Sequence, residues 1–113
     1  MSITSVTLRR RVDDLDAAVS FYEQLTGEAA NRFQFAGLEL AAVGAFLLFS
    51  GSEEAAGRFA GVAATLSVPD LNQAISGAVA AGAALIAPPQ ATPNGHRAVL
   101  RHPDGGVYEY VSR

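Results

Sequence analysis

Val12-Asp13-Asp14-Leu15-Asp16-Ala17-Ala18-Val19-Ser20-Phe21-Tyr22 reads as the end of a strand, a helix cap and the first two turns of an amphipathic helix. A weaker copy returns as Val68-Pro69-Asp70-Leu71-Asn72-Gln73-Ala74-Ile75. Val12 matches Val68, Asp14 matches Asp70, Leu15 matches Leu71 and Ala18 matches Ala74, an offset of 56 residues (68 − 12) in a chain of 113. Two copies do not make a solenoid, which needs about three repeats to bury a core. The pattern points instead to one strand–helix–strands module, duplicated and folded against its twin.

Both halves parse the same way around this frame. Residues 3–12 alternate, with Thr7, Arg9 and Arg11 on one face and Val6, Leu8 and Val12 on the other, the latter expected on a core. Asp14 is the expected helix N-cap, and Leu15, Ala18, Val19, Tyr22 and Leu25 form an apolar stripe that Gly27 ends. Short strands are expected over Asn31–Phe35, Leu38–Val43 and Ala45–Phe49, with tight turns at Gly37 and Gly44. The polar stretch from Ser50 to Gly61 is read as a linker. Modules of about 1–52 and 60–113 then make a single domain, joined near 51–60.

In the second module, Val62–Val68 is the first strand and Asp70 the cap. Leu71, Ala74, Ile75, Ala78 and Val79 form the buried stripe, and Gly82 ends the helix. Ala84–Ala87 reads as a brief strand broken by Pro88-Pro89, and Gln90 to Gly95 as a loop. Arg97–Arg101 and Gly106–Val111 form a closing hairpin around Pro103-Asp104-Gly105-Gly106. The order is βαβββ twice, an α+β chain.

Composition narrows the partners. Half the residues are apolar, enough for one small core, and the net charge of −3 offers no field to draw the chain onto nucleic acid or anionic lipid. The run Arg9-Arg10-Arg11 is not a nucleic-acid patch, because strand alternation splits it across two faces. There are no cysteines, which removes disulfides, thiolate metal sites and a cysteine nucleophile together. The apolar runs 41–49 and 78–87 are shorter than the ~18 residues a membrane span needs. No secretory leader is recognisable at the N-terminus, so a cytoplasmic protein is expected.

The 56-residue repeat, the Val12–Tyr22 stretch and the ending Arg101-His102-Pro103-Asp104-Gly105-Gly106-Val107-Tyr108-Glu109-Tyr110 together resemble the vicinal-oxygen-chelate superfamily, the glyoxalase, bleomycin-resistance and extradiol-dioxygenase group. The resemblance covers essentially the whole chain. It implies two βαβββ modules forming an eight-stranded, half-open curved sheet around a pocket, and a homodimer whose chains complete each other's pockets. Enzymes of that group hold a divalent metal with one ligand from each of four strands. The corresponding positions here are Thr7, Ala63, a residue near Leu47 or Leu48, and Glu109. Only Glu109 is a ligand-type side chain, and one carboxylate does not hold a metal that needs three or four donors. No metal and no cofactor are therefore expected.

The residues expected to bind a ligand are Thr7, Arg9, Arg11, Phe33, Phe35, Leu47, Phe49, Ala63 and Glu109, with no catalytic residue among them. Glu109 lines the pocket in this reading, and Arg9 and Arg11 clamp an anion, stack on a flat ligand or pair with Glu109 or Glu39. The bland alternatives are a solvated strand end for the arginines and core packing for any single phenylalanine. His96 and His102 sit in or beside loops, where a turn or hydrogen-bonding role is the default. Tyr22, Tyr108 and Tyr110 are expected in the core. A metal-free pocket with phenylalanine and arginine walls suits a partly aromatic small molecule. The implied function is sequestration of an antibiotic or other secondary metabolite, as bleomycin-resistance-type members do, in pockets at a dimer interface. The alternatives are a metal-dependent lyase, isomerase or dioxygenase with a displaced metal site, and a non-catalytic scaffold or regulatory subunit.

Overall fold

The computed structural model describes residues 2–113. The elements run β1 (Ser5–Arg11), α1 (Leu15–Thr26), β2 (Asn31–Phe35), β3 (Leu38–Val43), β4 (Phe46–Gly51), α2 (Glu53–Ala60), β5 (Ala64–Ser67), α3 (Leu71–Ala80), β6 (Ala84–Thr92), β7 (Gly95–Arg101) and β8 (Val107–Ser112). Two compact units result, Thr7–Gly61 and Met1–Val6 with Val62–Arg113.

The duplication read from the sequence is present in topology. Strands run β2-β3-β4-β1 in one unit and β6-β7-β8-β5 in the other. In each, the module's first strand pairs parallel with its last, β1 with β4 and β5 with β8, and the remaining neighbours are antiparallel. The described residues form eight strands in all, and β1 begins in the second of these units and runs on into the first. At its start, Thr4 N–H donates to the Ser67 carbonyl at 2.8 Å.

The caps repeat as well. Asp14 accepts from Ala17 N–H and Asp70 from Gln73 N–H, each at 3.0 Å, in the same extended backbone conformation. Gly27, at φ 73°, turns the chain out of α1. Ala81 closes α3, and Gly82 makes the left-handed turn beyond it at φ 110°. In the Thr7–Gly61 unit, Leu15 and Val19 pack on Ala41, Val43 and Leu48. In the other, Leu71, Ala74 and Ala78 pack on Leu66, Ala98, Leu100 and Tyr110.

Four expectations are corrected. The linker contains a helix: Ser52 caps α2 by accepting from Ala55 N–H at 3.2 Å, and Ala55 and Ala56 are buried. Val6 and Leu8 are exposed, Leu8 by 49 %, because α1 packs over β3 and β4 and leaves the outer face of β1 uncovered. Leu25 (62 % exposed) and Val79 stand outside their stripes. At about 100° per residue, each lies roughly 100° around its helix from the centre of the buried pair or trio. Finally, β6 continues through Pro88-Pro89 to Thr92, so the expected loop shrinks to a two-residue turn at Pro93-Asn94. An edge strand tolerates proline because its outer N–H groups need no partner, and the pairing with β7 shifts register around the pair.

Candidate functional site

Register decides which side chains share a face. In the Thr7–Gly61 unit Arg9 lies opposite Leu47 and Arg11 opposite Phe49, while Phe33 lies opposite Leu40 and Phe35 opposite Leu38. Leu40 in turn faces Phe49. Thr7, Arg9, Arg11, Phe33, Phe35, Leu47 and Phe49 therefore occupy one face, the one away from α1, as alternation predicts. Phe46 points the other way and meets Tyr22 at 4.6 Å.

Much of that face is covered by α2. Phe49 is 1 % exposed beneath Phe59, their rings 4.8 Å apart, and packs with Leu38, Leu40, Ala55 and Ala56. The expectation that Phe49 meets a ligand is corrected: this ring has no open surface. Leu47 is half-buried against the same cluster. Arg11 pairs with Glu53 of α2 at 2.8 Å, not with Glu39 or Glu109. Arg9 lays its guanidinium over the Phe59 ring at 3.9 Å and donates from Nη1 to the Phe59 carbonyl at 3.1 Å. Thr7 stays half-buried, and Phe33 and Phe35 remain exposed. The sequence carried a signal for α2 that the linker reading passed over. Ser52 followed by Glu53 and Glu54 is an N-terminal signature, and Ala55, Ala56 and Phe59 keep helical spacing.

In the other unit, Glu109 lies opposite Thr65 on one side and Val99 on the other. Its carboxylate is 15 % exposed and both oxygens are engaged. Thr65 Oγ1 donates to Oε1 at 3.0 Å, and Arg97 Nε donates to Oε2 at 2.5 Å. Ala63 lies exposed just before β5, its N–H donating to the Val107 carbonyl at 2.8 Å. Thr65 and Arg97 were missed in the sequence. Thr65 is the repeat partner of Arg9 (9 + 56), and alternation in β7 puts Arg97, Val99 and Arg101 on the Glu109 face. A hollow of about 470 Å³, lined by Thr4, Ser5, Ser67 and Val111 among others, begins beside this row, for Val111 is the register partner of both Arg97 and Ser67.

The histidines serve the opposite face or the surface. His102 Nε2 shares a 2.6 Å hydrogen bond with the Tyr110 hydroxyl and stacks on Tyr108 at 4.4 Å, the hydrogen-bonding role expected of it. Burial, with a smaller push from Tyr108, raises the Tyr110 phenol above its usual pKa of 10.0. His96 is exposed.

These residues do not fit a divalent metal. Among the described residues, no three His, Cys, Asp or Glu side chains cluster. The one carboxylate at a ligand position already holds a guanidinium and a hydroxyl. A fixed cation stands against it, on the strand next to its own.

Two four-stranded βαβββ units with a carboxylate on the last strand define a class of duplicated α+β proteins. The chain belongs to the Glyoxalase/Bleomycin resistance protein/Dioxygenase superfamily, whose family model matches residues 3–110. An uncharacterized protein from Methanosarcina mazei is 38 % identical, with a TM-score of 0.89 over 100 % of this chain and 94 % of that one. Methylmalonyl-CoA epimerase from Mycobacterium tuberculosis is 19 % identical, with a TM-score of 0.68 over 97 % and 88 % of the two chains. The Q60A variant of the Streptomyces coelicolor epimerase, in complex with 2-nitronate-propionyl-CoA, is 19 % identical with a TM-score of 0.70, over 98 % of each chain. At that identity the epimerases share the fold alone. No curated protein matches the sequence. No helix among the described residues is long and apolar enough to cross a membrane.

Proposed function

We propose that this protein binds a small molecule stoichiometrically, without a metal, and acts by sequestering it, with an antibiotic or other secondary metabolite as the ligand class. The observation that carries this reading is the Arg97–Glu109–Thr65 arrangement. The carboxylate that would serve a metal is paired with a guanidinium, a group of N–H donors with no lone pair to offer a metal ion. Such a face can hold and orient a ligand. The adjoining hollow of about 470 Å³ falls within the ~300–1,000 Å³ range of small-molecule pockets.

A homodimer belongs to the same proposal. In the Thr7–Gly61 unit, Leu8 and the helical pair Phe21 and Leu25 are exposed, apolar surface that a second copy would cover. Sedimentation of the wild type as a dimer, and of Phe21→Glu as a monomer, is the expected result; a monomeric wild type rejects it.

Two measurements test the binding function together. Purified protein is assayed for Zn, Ni, Mn and Fe, and its melting temperature is recorded across a library of flat natural products. A ligand at 100 times its Kd adds roughly 2.7 kcal/mol, a shift of several degrees. Hits with no stoichiometric metal are expected. A metal at one per chain, or turnover of a hit, overturns the reading, and a library with no hit favours a scaffold.

A further inference from the structure

Arg97 is only half used. Its Nε is committed to Glu109, yet Nη1 and Nη2 have no hydrogen-bond or ion-pair partner among the described residues. The side chain is 32 % exposed, on the same face as the hydroxyl-bearing Thr65 and Ser67. Ser67 Oγ also has no partner among the described residues, and Ser67 and Val111 lead into the hollow. A guanidinium gripped at Nε by a mostly buried carboxylate cannot swing away. Its outer edge is a fixed pair of N–H donors with the spacing of a carboxylate's two oxygens.

We infer that Arg97 is the recognition residue for a carboxylate on the bound small molecule, taken bidentately on Nη1 and Nη2, and that Glu109 and Thr65 are positioning residues for it. This rests on the binding function proposed above and names the ligand's chemical class. Electrostatics support the assignment. With Nε held by Glu109, the outer N–H donors of Arg97 are fixed in one plane, so an anion there is selected by its geometry. A planar two-oxygen acceptor is therefore favoured over a bare point charge. Val111, beside Arg97 on that face and lining the hollow, suits an apolar body behind the carboxylate.

The test uses the full chain and defined probes: benzoate, its neutral isostere benzamide, and inorganic phosphate. One bidentate pair alone supports roughly millimolar binding, so benzoate is titrated to about 100 mM while the arginine side-chain resonances are followed by NMR. The expected result is a saturable shift of the Arg97 guanidinium signals with benzoate, a weaker one with phosphate and none with benzamide. Arg97→Gln lowers the benzoate affinity about tenfold or more, Arg97→Lys falls between, and Arg101→Gln leaves it unchanged.

The positioning role has its own readout. Glu109→Gln keeps an oxygen for Arg97 Nε and retains benzoate binding, whereas Glu109→Leu loses it and collapses the distinct Arg97 Nε signal. No shift with benzoate, an equal shift with benzamide, or benzoate binding unaltered in Arg97→Gln overturns the inference. Capture of a neutral library compound together with any of those results sinks this inference alone. A stoichiometric metal sinks the binding reading beneath it.

Discussion

Removing the Phe59 ring tests the least expected part of the architecture, the docking of α2. The ring meets Phe49 at 4.8 Å and lies beneath the Arg9 guanidinium at 3.9 Å, while its backbone carbonyl holds Arg9 Nη1. Phe59→Ala deletes the first two interactions and leaves the third. Truncating a fully buried phenylalanine costs about 3–5 kcal/mol, and this ring is half-buried. The aromatic pair accounts for about 1 kcal/mol and the cation–π contact for about 0.5–1. These terms overlap, so the expected loss is about 2–3 kcal/mol, or about 10 °C in Tm for a domain of this size. Urea unfolding followed by circular dichroism measures it as a lower midpoint at constant slope. Phe35→Ala, which removes a ring 63 % exposed, is the control and changes stability by less than about 0.5 kcal/mol. A double-mutant cycle with Arg9→Met isolates the ring–guanidinium coupling, expected near 0.5–1 kcal/mol. A loss below about 1 kcal/mol for Phe59→Ala, with no coupling, would refute the account of how α2 is held.

Three further outcomes follow from single positions. A Cβ on Gly95, where φ is 151°, would clash with the Ser112 carbonyl oxygen, so Gly95→Ala should cost about 3 kcal/mol by the same denaturation assay. Ala36 sits at φ 53° ahead of Gly37 at φ 79°, a two-residue hairpin turn that favours asparagine in the first position. Ala36→Asn should therefore stabilise by about 0.5–1 kcal/mol, and a loss of stability would contradict the turn assignment. The folded chain keeps the Tyr110 proton to a higher pH than the unfolded chain does. The stability linked to this group is thus complete below about pH 10 and lost as pH rises through the raised value. Unfolding free energies between about pH 9 and 12 should fall in the wild type and fall less steeply in Tyr110→Phe.

What could be read from the sequence was whatever repeated or alternated. The two aspartate caps announced themselves because a helix start needs an acceptor for its free N–H groups, and Asp14 and Asp70 supply it with the same geometry. The face shared by Thr7, Arg9 and Arg11 followed from strand alternation. Coverage did not follow, since it depends on which helix lies over which strands. Val6 and Leu8 read as core and are exposed, and Phe49 read as a ligand wall and is sealed under Phe59. Both misreadings trace to helix placement, with α1 reaching only β3 and β4 and α2 hidden inside eight residues that look like a linker. Arg97 escaped notice for another reason. Nothing local distinguishes it from Arg101, and only the pairing of β7 with β8 brings it to Glu109.

That pairing also gives the Glu109 carboxylate a countercharge from the neighbouring strand. A half-buried glutamate with no countercharge would be costly to keep ionised, and the usual answers are a cation or a proton. Here the answer is built into the neighbouring strand. Arg97 supplies the charge and Thr65 the second hydrogen bond, which satisfies both oxygens. Removing Arg97 and removing Thr65 are then different perturbations. Thr65→Val leaves the ion pair and should cost about 1 kcal/mol, whereas Arg97→Ala takes a charged partner from a mostly buried carboxylate and should cost more, about 2 kcal/mol at neutral pH. If Arg97→Ala costs no more than Thr65→Val in urea unfolding, the ion pair adds nothing beyond what the hydroxyl bond supplies.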